Sequence, residues 1–442
     1  AVSAVAVVTI TAAEFGHEFD CLNFAGATAN TAVGHQAGTD LTTGDDNVFM
    51  GTNAARENRT GGQNVYLGSG AGQGTNAYSN SSNIGVGYRA LYLNRTGTEN
   101  VAIGKESMRD ATTSDGSVAV GAESLYNVTS GNNNVAVGKQ ALYYILTGAG
   151  NVAVGLKALK DNTANNNVAV GRSALENNTT GTGNIAMGYE ALLTATELNY
   201  NVAIGYEALK VMSGSAGDTG NTAIGYQSGL ALTTGNYNTA VGFLTLDGTD
   251  DGGSNTAIGA FALSANAGDQ NTAVGVQALQ NTTGGTNVAV GFQAALTLVA
   301  GDSNVAVGAD ALRNAGAGET GNIAIGSQAM RTFDEGSSGA VNDNIAIGVA
   351  AFSGGDIGSA STTVSHNIAI GKNALNSTGT NAQTGTIAIG FNALTALTSG
   401  ASNVAIGYEA LSVEDDGALN TAVGYQALKD QTGVSGTVAN TA

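Results

Sequence analysis

Four residues of this chain have side chains that often serve metal binding or catalysis: His17, His35, His366 and the single cysteine, Cys21. His17 and Cys21 are 4 residues apart, a spacing that would place both on one face of a helix. Two ligands alone make a weak metal site, and serine and aspartate are too common to single out a Ser-His-Asp triad. We therefore predict no metal centre, no catalytic triad and no cofactor.

Acidic residues offer a second kind of chemistry, because paired carboxylates can hold calcium or cleave glycosidic bonds. Adjacent pairs occur without the spacing of a known calcium loop at Asp45-Asp46, Asp250-Asp251 and Asp415-Asp416. Other carboxylates hold matching places in successive repeats and should face solvent or share a cation: Glu106 with Glu123, and Glu190 with Glu207. An enzyme would interrupt the repeat with unique carboxylates, so we predict a protein that is not an enzyme. The alternative, a polysaccharide lyase or hydrolase, would be revealed by oligosaccharide cleavage.

Aromatic residues are the third candidate, because they follow the same glycine in many repeats: Tyr88, Tyr189, Tyr206, Tyr226, Phe243, Phe292, Phe391, Tyr408 and Tyr425. Stacked aromatic rings stabilise a solenoid through contacts between neighbouring strands, and we favour this interpretation. The alternative is a sugar-binding stripe, with Phe391, Tyr408 and Tyr425 as the candidate glycan contacts.

These residues are carried by a short repeat, Asn-x-Ala-Val/Ile-Gly, of which the chain contains 23 complete copies. The commonest interval between glycines is 17 residues, with extremes of 16 and 23. A unit this short cannot close its own core and must stack on its neighbours. Its length fits two short strands and two turns, and its period of two excludes a helical repeat. The sequence therefore predicts an all-β fold, a parallel β-solenoid or β-roll with one rung of about 17 residues per repeat.

Each position of the repeat has a predicted structural role. The residue before the glycine and the one two places earlier, such as Val137 and Val135, are expected to form the core. Small residues such as Ala136 and Ala141 imply close approach of the opposite wall or of another chain. The asparagines should form a ladder, and the glycines should permit a corner or a close backbone approach. Representative ladder positions are Asn100, Asn134, Asn151, Asn184, Asn201, Asn403, Gly104, Gly138, Gly155, Gly188, Gly205 and Gly407.

Composition limits the partners. Lys and Arg total 15 against 34 Asp and Glu, and the formal charge of −19 disfavours nucleic acid and anionic membrane surfaces. The apolar run 1–13 is too short for a transmembrane helix and lacks the basic flank of a secretion signal, so we predict no membrane insertion. Ice binding is disfavoured because Thr takes the second motif position in only 6 copies.

The repeat also sets the expected domain organisation. Residues 27–442 should form one β-solenoid repeat domain whose last copy is truncated. Residues 1–26 differ, and we expect them to cap the first rung or to join the subunit to its neighbour by adding a strand. The longest loops, 331–343 and 353–366, are interpreted as tolerated insertions, with contact to a partner as the alternative.

Two copies of the repeat, Asn184–Leu192 and Asn221–Gly229, resemble the head repeats of trimeric autotransporter adhesins. They also resemble repeats of phage tail-fibre proteins that precede a self-cleaving chaperone domain. The resemblance covers about 410 residues and is specific at Asn, Ala, Val/Ile and Gly. It implies a homotrimeric, left-handed β-roll that lies outside the cell or on a virion and attaches to surfaces. It transfers no binding residues, because only scaffold positions match.

The sequence therefore predicts a non-catalytic extracellular fibre or shaft protein for surface attachment, as an adhesin head at the cell surface or a tail fibre on a virion. The expected partners are further copies of the chain and a host-surface glycan or protein. The alternative is a self-assembling extracellular filament whose subunits stack head to tail, with a mechanical or biofilm role. Electron microscopy would separate finite rods from indefinite filaments.

Overall fold

The computed structural model describes residues 26–74, 79–214, 217–316, 318–332, 340–354, 363–377, 383–432, 436–437 and 439–442. His17, Cys21 and nearly all of the predicted terminal segment lie outside these residues, as do the middle parts of the two longest loops. Every regular element of the described residues is a β-strand. The chain divides into two compact units, Ala1–Thr219 and Gly220–Ala442.

The first unit contains eleven motif strands, each formed by the three residues before a motif glycine. They are β1 Thr31–Val33, β2 Val48–Met50, β3 Val65–Leu67, β4 Ile84–Val86, β5 Val101–Ile103, β6 Val118–Val120, β7 Val135–Val137, β8 Val152–Val154, β9 Val168–Val170, β10 Ile185–Met187 and β12 Val202–Ile204. Two shorter strands lie outside the motif: β11 Leu198–Asn199 and β13 Gly217–Asp218.

The second unit contains twelve motif strands. They are β14 Thr222–Ile224, β15 Thr239–Val241, β16 Thr256–Ile258, β17 Thr272–Val274, β18 Val288–Val290, β19 Val305–Val307, β20 Ile323–Ile325, β22 Ile345–Ile347, β24 Ile368–Ile370, β26 Ile387–Ile389, β27 Val404–Ile406 and β29 Thr421–Val423. Outside the motif lie β21 Ala340–Asn342, β23 Thr363–Ser365, β25 Gln383–Thr384, β28 Gly417–Ala418 and β30 Gly436–Thr437.

Within each unit the motif strands pair in parallel and in register. In the first unit Ala136 of β7 lies opposite Ala153 of β8, and in the second Ala240 of β15 lies opposite Ala257 of β16. Parallel strands need a connection that returns to the same edge, and here the remaining residues of each rung supply it. The prediction of an all-β parallel solenoid with rungs of about 17 residues is confirmed in both units.

The prediction of two strands per rung is wrong for most rungs. Short additional strands pair only where β11 meets β13, β23 meets β21 and β25, and β28 meets β30 among the described residues. Elsewhere the chain turns after the glycine with non-glycine residues at positive φ, such as Glu106 at 55° and Met108 at 47°. The Met108 amide donates to the Ser124 carbonyl of the next rung at 2.9 Å, so these turns stack through backbone hydrogen bonds without forming a strand.

The motif asparagines are buried and connect successive rungs. Oδ1 of Asn134 accepts the backbone N–H of Asn151 at 2.9 Å and its side-chain amide at 3.1 Å. Nδ2 of Asn134 donates to the Gly148 carbonyl at 2.8 Å. Backbone N–H to Oδ1 contacts link further pairs: Asn100 accepts from Ser117 at 3.0 Å, Asn184 from Asn201 at 2.9 Å and Asn403 from Asn420 at 2.9 Å. Each asparagine thus satisfies backbone groups of its own turn and of the next strand.

The motif glycines have a backbone conformation and a packing that exclude a side chain. Gly138 has φ of 131°, and a Cβ atom there would lie 2.5 Å from the carbonyl oxygen of Gly155 in the next rung. Gly104, Gly155, Gly188 and Gly407 meet the glycine above them in the same way, and Gly205 has φ of 143°. The glycines are therefore required both for the corner and for the close backbone approach.

The prediction that the β-branched residues form the core is wrong. Ala136 is fully buried, whereas Val135 is half-buried and Val137 is 37% exposed. The interior is filled by the middle residue of each strand, together with the small residue and the leucine that follow the glycine, such as Ala141 and Leu142. A rung of this length encloses a narrow interior, so small side chains must line the inner face of the strand. The close approach predicted at the small positions is that of the opposite wall.

One pair of neighbouring rungs has a different interior. Phe49 and Tyr66 take the place of the inward alanine, are fully buried, and stack with ring centroids 5.8 Å apart. Space for the Tyr66 ring comes from Gly72 and Gly85, where an added Cβ would lie 2.5 and 2.8 Å from that ring. The Tyr66 hydroxyl lies 3.1 Å from Oδ1 of Asn80, and burial raises the pKa of the phenol.

Candidate functional site

The outward face of the motif strands is mainly apolar and partly exposed in each of the two units. Because alanine faces inward, the two β-branched residues of each strand point away from the interior. Side chains one rung away cover part of each of them, yet many stay more than a third exposed: Val33, Met50, Ile84, Ile103, Val137, Ile185, Met187, Ile224, Ile258, Val290, Ile325, Ile347, Ile406 and Val423. The first and the third residue of the motif strands thus form two columns of side chains, which we call the outward apolar columns.

An apolar surface of this regularity is typical of a protein interaction site. Isolated exposed hydrophobic residues are ordinary, whereas contiguous exposed apolar patches mark places where another molecule binds. The motif strands carry only Val, Ile, Leu and Met on this face, apart from a threonine at the first strand position in 6 rungs, so the chemistry available to this face is mainly burial against another apolar face. The sequence interpretation missed this surface because it placed the same residues in the core.

A third column runs beside the apolar ones. It is formed by the residue that follows each motif glycine, and we call it the post-glycine column. Its aromatic members stack from rung to rung, with centroids 5.1 Å apart for Tyr189 and Tyr206 and 5.2 Å apart for Tyr226 and Phe243. Side chains of successive rungs in this column therefore lie about 5 Å apart, close to the spacing of paired strands.

The candidate glycan contacts belong to this column. The Phe391 and Tyr408 rings are 5.2 Å apart at 15° between planes, and the Tyr408 and Tyr425 rings are 5.3 Å apart at 11°. The rings thus cover one another's faces, and Tyr425 at 73% exposed is the most accessible of the three. A sugar stacks on an aromatic face, so this geometry offers most of the stripe only as ring edges. It fits the stacking interpretation better than the glycan interpretation.

Glu190 and Glu207 share a cation that the protein itself supplies, whereas Glu106 and Glu123 have separate partners. The Lys210 ammonium lies 2.8 Å from Oε2 of Glu190 and 2.7 Å from Oε1 of Glu207. The hydrogen bond from Lys210 lowers the pKa of Glu190, and the two carboxylates raise the pKa of Lys210. Glu123 accepts a hydrogen bond from the Gln140 side chain at 2.8 Å, and Glu106 lies 3.8 Å from Lys105.

The acidic pairs lie in the turns between strands, outside the strands themselves. Oδ1 of Asp45 accepts the Thr28 amide at 2.6 Å, which ties one rung to the next. Glu414, Asp415 and Asp416 have carboxylate oxygens within 4.8 Å of one another, the one such group among the described residues. Buried Glu414 already accepts the Gly417 amide and the Gln431 side chain, at 2.7 and 2.8 Å. Its carboxylate therefore serves as a cap of the turn.

The two histidines in the described residues lie on the surface. His35 is exposed, and His366 Nε2 lies 3.9 Å from the Asp343 carboxylate with both side chains more than 60% exposed. A solvent-exposed pair at this distance is a weak surface interaction and lacks the burial that orients a catalytic histidine.

No protein-family model matches the chain, and no curated protein is similar to it in sequence. Within the described ranges, no helix has the length and hydropathy needed to span a lipid bilayer.

Proposed function

We propose that this chain is a non-catalytic, homo-oligomeric fibre protein, most simply a homotrimer, that lies outside the cell or on a virion and serves surface attachment. The observation that carries the proposal is the outward apolar face. β-Branched residues occupy it in almost every rung, and water contact of so many apolar side chains is unfavourable. A second copy of the same chain offers an identical apolar face with the same rung spacing, so self-association buries it along its whole length.

The repeat supports a mechanical role over a catalytic one. Each rung reuses the same asparagine, glycine and alanine contacts, and the glutamates of the polar clusters described above are engaged by neighbouring groups of the protein. Neighbour-to-neighbour stacking makes stability increase with the number of rungs, which suits a spacer or shaft. The resemblance to adhesin and tail-fibre repeats supports the same class and is the basis for expecting three chains.

The experiment places charge on the outward face. Replacing Ile103 and Val137 by glutamate leaves the interior unchanged but would bury two carboxylates per chain in the proposed interface, which is strongly unfavourable. The matched control is Leu146→Glu, because Leu146 is 48% exposed in a turn away from the strands. Light scattering should give an oligomer for the unmodified chain and the control, and 43.5 kDa for the double variant.

Two results would contradict the proposal. One is a single-chain mass for the unmodified protein, and the other is an intact oligomer in the double variant. Circular dichroism must show unchanged β-structure for the comparison to hold. Electron microscopy of the same samples separates finite particles from the indefinite filaments of the head-to-tail alternative.

A further inference from the structure

The post-glycine column changes character within the first unit. In the rungs of β5, β7 and β9 its members are Lys105, Lys139 and Arg172, and all three are exposed. The rungs between them have Ala122 and Leu156 at this position. Cations thus recur every second rung, about 10 Å apart at the strand spacing. In the second unit the column contains a single basic residue, Lys372.

The cations extend into solvent while the nearby carboxylates do not. The Lys105 side chain is 61% exposed, whereas that of Glu106 beside it is 16% exposed. Glu123 is engaged by Gln140, and Glu176 lies 3.4 Å from Lys157 in the adjoining turn. The Arg172 guanidinium lies 5.7 Å from the Tyr189 ring centroid, and Glu190, the carboxylate that interacts with its charge, is hydrogen-bonded to Lys210 at 2.8 Å.

The negative charge of the whole chain does not cancel this local pattern. Charges separated by more than a Debye length, about 8 Å at physiological ionic strength, are largely screened in solvent. A ligand that lies on the column therefore meets the three cations and their immediate neighbours. Between the cations, Ala122 and Leu156 present shorter, apolar side chains.

We propose that this basic segment of the post-glycine column binds a linear anionic polysaccharide that carries one acidic group for every two sugar units. The sugar chain would run along the rungs, with successive carboxylates or sulfates at Lys105, Lys139 and Arg172. The intervening sugars would lie over Ala122 and Leu156. A sugar unit has nearly the length of one rung, so the alternation of cations matches a disaccharide repeat. The inference specifies the ligand class of the proposed attachment function and rests on it.

The test uses hyaluronan, whose disaccharide repeat carries one carboxylate, with dextran as the neutral control. The full chain should bind hyaluronan and not dextran, with affinity that falls as salt rises. The variant K105Q/K139Q/R172Q should bind at least about tenfold more weakly, because each exposed ion pair contributes modestly and three act together. The matched control is K372Q, which removes an exposed lysine from the same column and should leave the affinity unchanged.

A charge-conserving variant tests the spacing. In A122K/K139A the number of cations is kept, but the central one moves by a single rung. Weaker hyaluronan binding by this variant supports the match to a disaccharide repeat, and unchanged binding overturns it. Thermal melts of all variants should coincide with that of the unmodified chain, because these side chains point into solvent.

Other results would overturn the inference as a whole. These are absence of hyaluronan binding, equal binding by the triple variant, or equally tight binding of polyglutamate or single-stranded DNA, which would indicate attraction to any polyanion. An oligomer that fails to bind hyaluronan leaves the proposed fibre function standing and removes only this ligand. A monomer that binds hyaluronan in the predicted manner removes the oligomer and keeps the surface.

Discussion

The inward face of the motif strands carries small side chains, whereas the outward face of the same strands carries large ones. Inside, the middle residue of nearly every strand is alanine and is fully buried; outside, its two neighbours are β-branched and partly exposed. The inner face is limited by the opposite wall of a narrow rung, while the outer face has no such limit within one chain. Bulky side chains are therefore placed where the single chain leaves room for them, which is the face that we propose is covered by other copies.

The rungs of Phe49 and Tyr66 show how strict the inner limit is. The Tyr66 ring fits inside only because Gly72 and Gly85 lack the side chains that would collide with it. The interior thus tolerates a change in shape when its total volume is conserved. The outer face shows no such compensation, since valine, isoleucine, methionine and leucine alternate there without matching changes elsewhere in the rung.

The largest loss of stability should come from adding a side chain at a motif glycine, where the chain turns after the strand. In Gly407→Ala the new methyl group would collide with the carbonyl of Gly424, and we expect a loss of about 4 kcal/mol or more in unfolding free energy. Gly424 is the matched control, because its φ of 144° is nearly that of Gly407 at 143° but only the Ala427 Cβ lies near, at 3.8 Å. Gly424→Ala should cost about 1 to 3 kcal/mol from backbone strain alone. Equal losses in urea titrations would refute the stacked-glycine contact.

The second-largest loss of stability should come from removing Asn134, a buried asparagine whose side chain connects one rung to the next. Asn134→Ala would leave the Gly148 carbonyl and the Asn151 amide without their partners, and we expect a loss of about 2 to 3 kcal/mol. Ser117, which replaces asparagine in one copy, is the comparison. Its neighbour Ser114 donates to the Gly131 carbonyl at 2.5 Å, so Ser117→Ala would leave only the Asn134 amide without its partner and should cost about 1 kcal/mol. Hydrogen exchange in β7 and β8 would locate the loss, and equal exchange in both variants would argue against the ladder.

The difference in packing between the inward and outward faces is tested by enlarging one residue on each face. Ala136→Val should overpack the interior and cost about 1 to 3 kcal/mol. Val137→Ile enlarges the adjacent outward residue to one already present at this place in β5, and should change stability by less than about 0.5 kcal/mol. Thermal unfolding of the two variants measures the difference. A larger loss in Val137→Ile would reverse the assignment of the faces.

The smallest effect is the pH dependence of the Lys210 cluster. The lowered pKa of Glu190 means that its contribution is present above the unfolded value of about 4.3 and is lost as the pH falls through the folded pKa. The raised pKa of Lys210 means that its contribution is present below about 10.4 and is lost at higher pH. Lys210→Met should therefore cost about 1 kcal/mol or less near pH 7, and the difference from the unmodified chain should shrink as the pH falls through the folded pKa of Glu190. Lys139→Met serves as a surface control, and a difference that persists in acid would contradict the assignment.

The period, the parallel stacking and the need for glycine could be predicted because each follows from the repeat alone. The direction of the faces could not be predicted in this way, because a period of two shows which residues share a face without showing which face is inside. The sequence contained a usable signal that was missed. Tyr66 replaces the middle residue just where glycine replaces the leucine at 72 and the alanine at 85, and such exchange of volume marks residues that face one another.

The candidate surfaces were harder to derive than the fold. The aromatic residues after the glycine could be placed in one column from their spacing, but their mutual covering became visible only in the geometry of the rings. Lys105, Lys139 and Arg172 were not singled out, because their alternation has meaning only once this position is known to form an exposed column.

The central claim about this protein is that the outward apolar columns are buried between identical chains. Sedimentation equilibrium of the unmodified protein measures this without any substitution. We expect a single species with three times the 43.5 kDa mass of one chain, independent of concentration over the accessible range. A species of 43.5 kDa, with the outward face left in water, would contradict it.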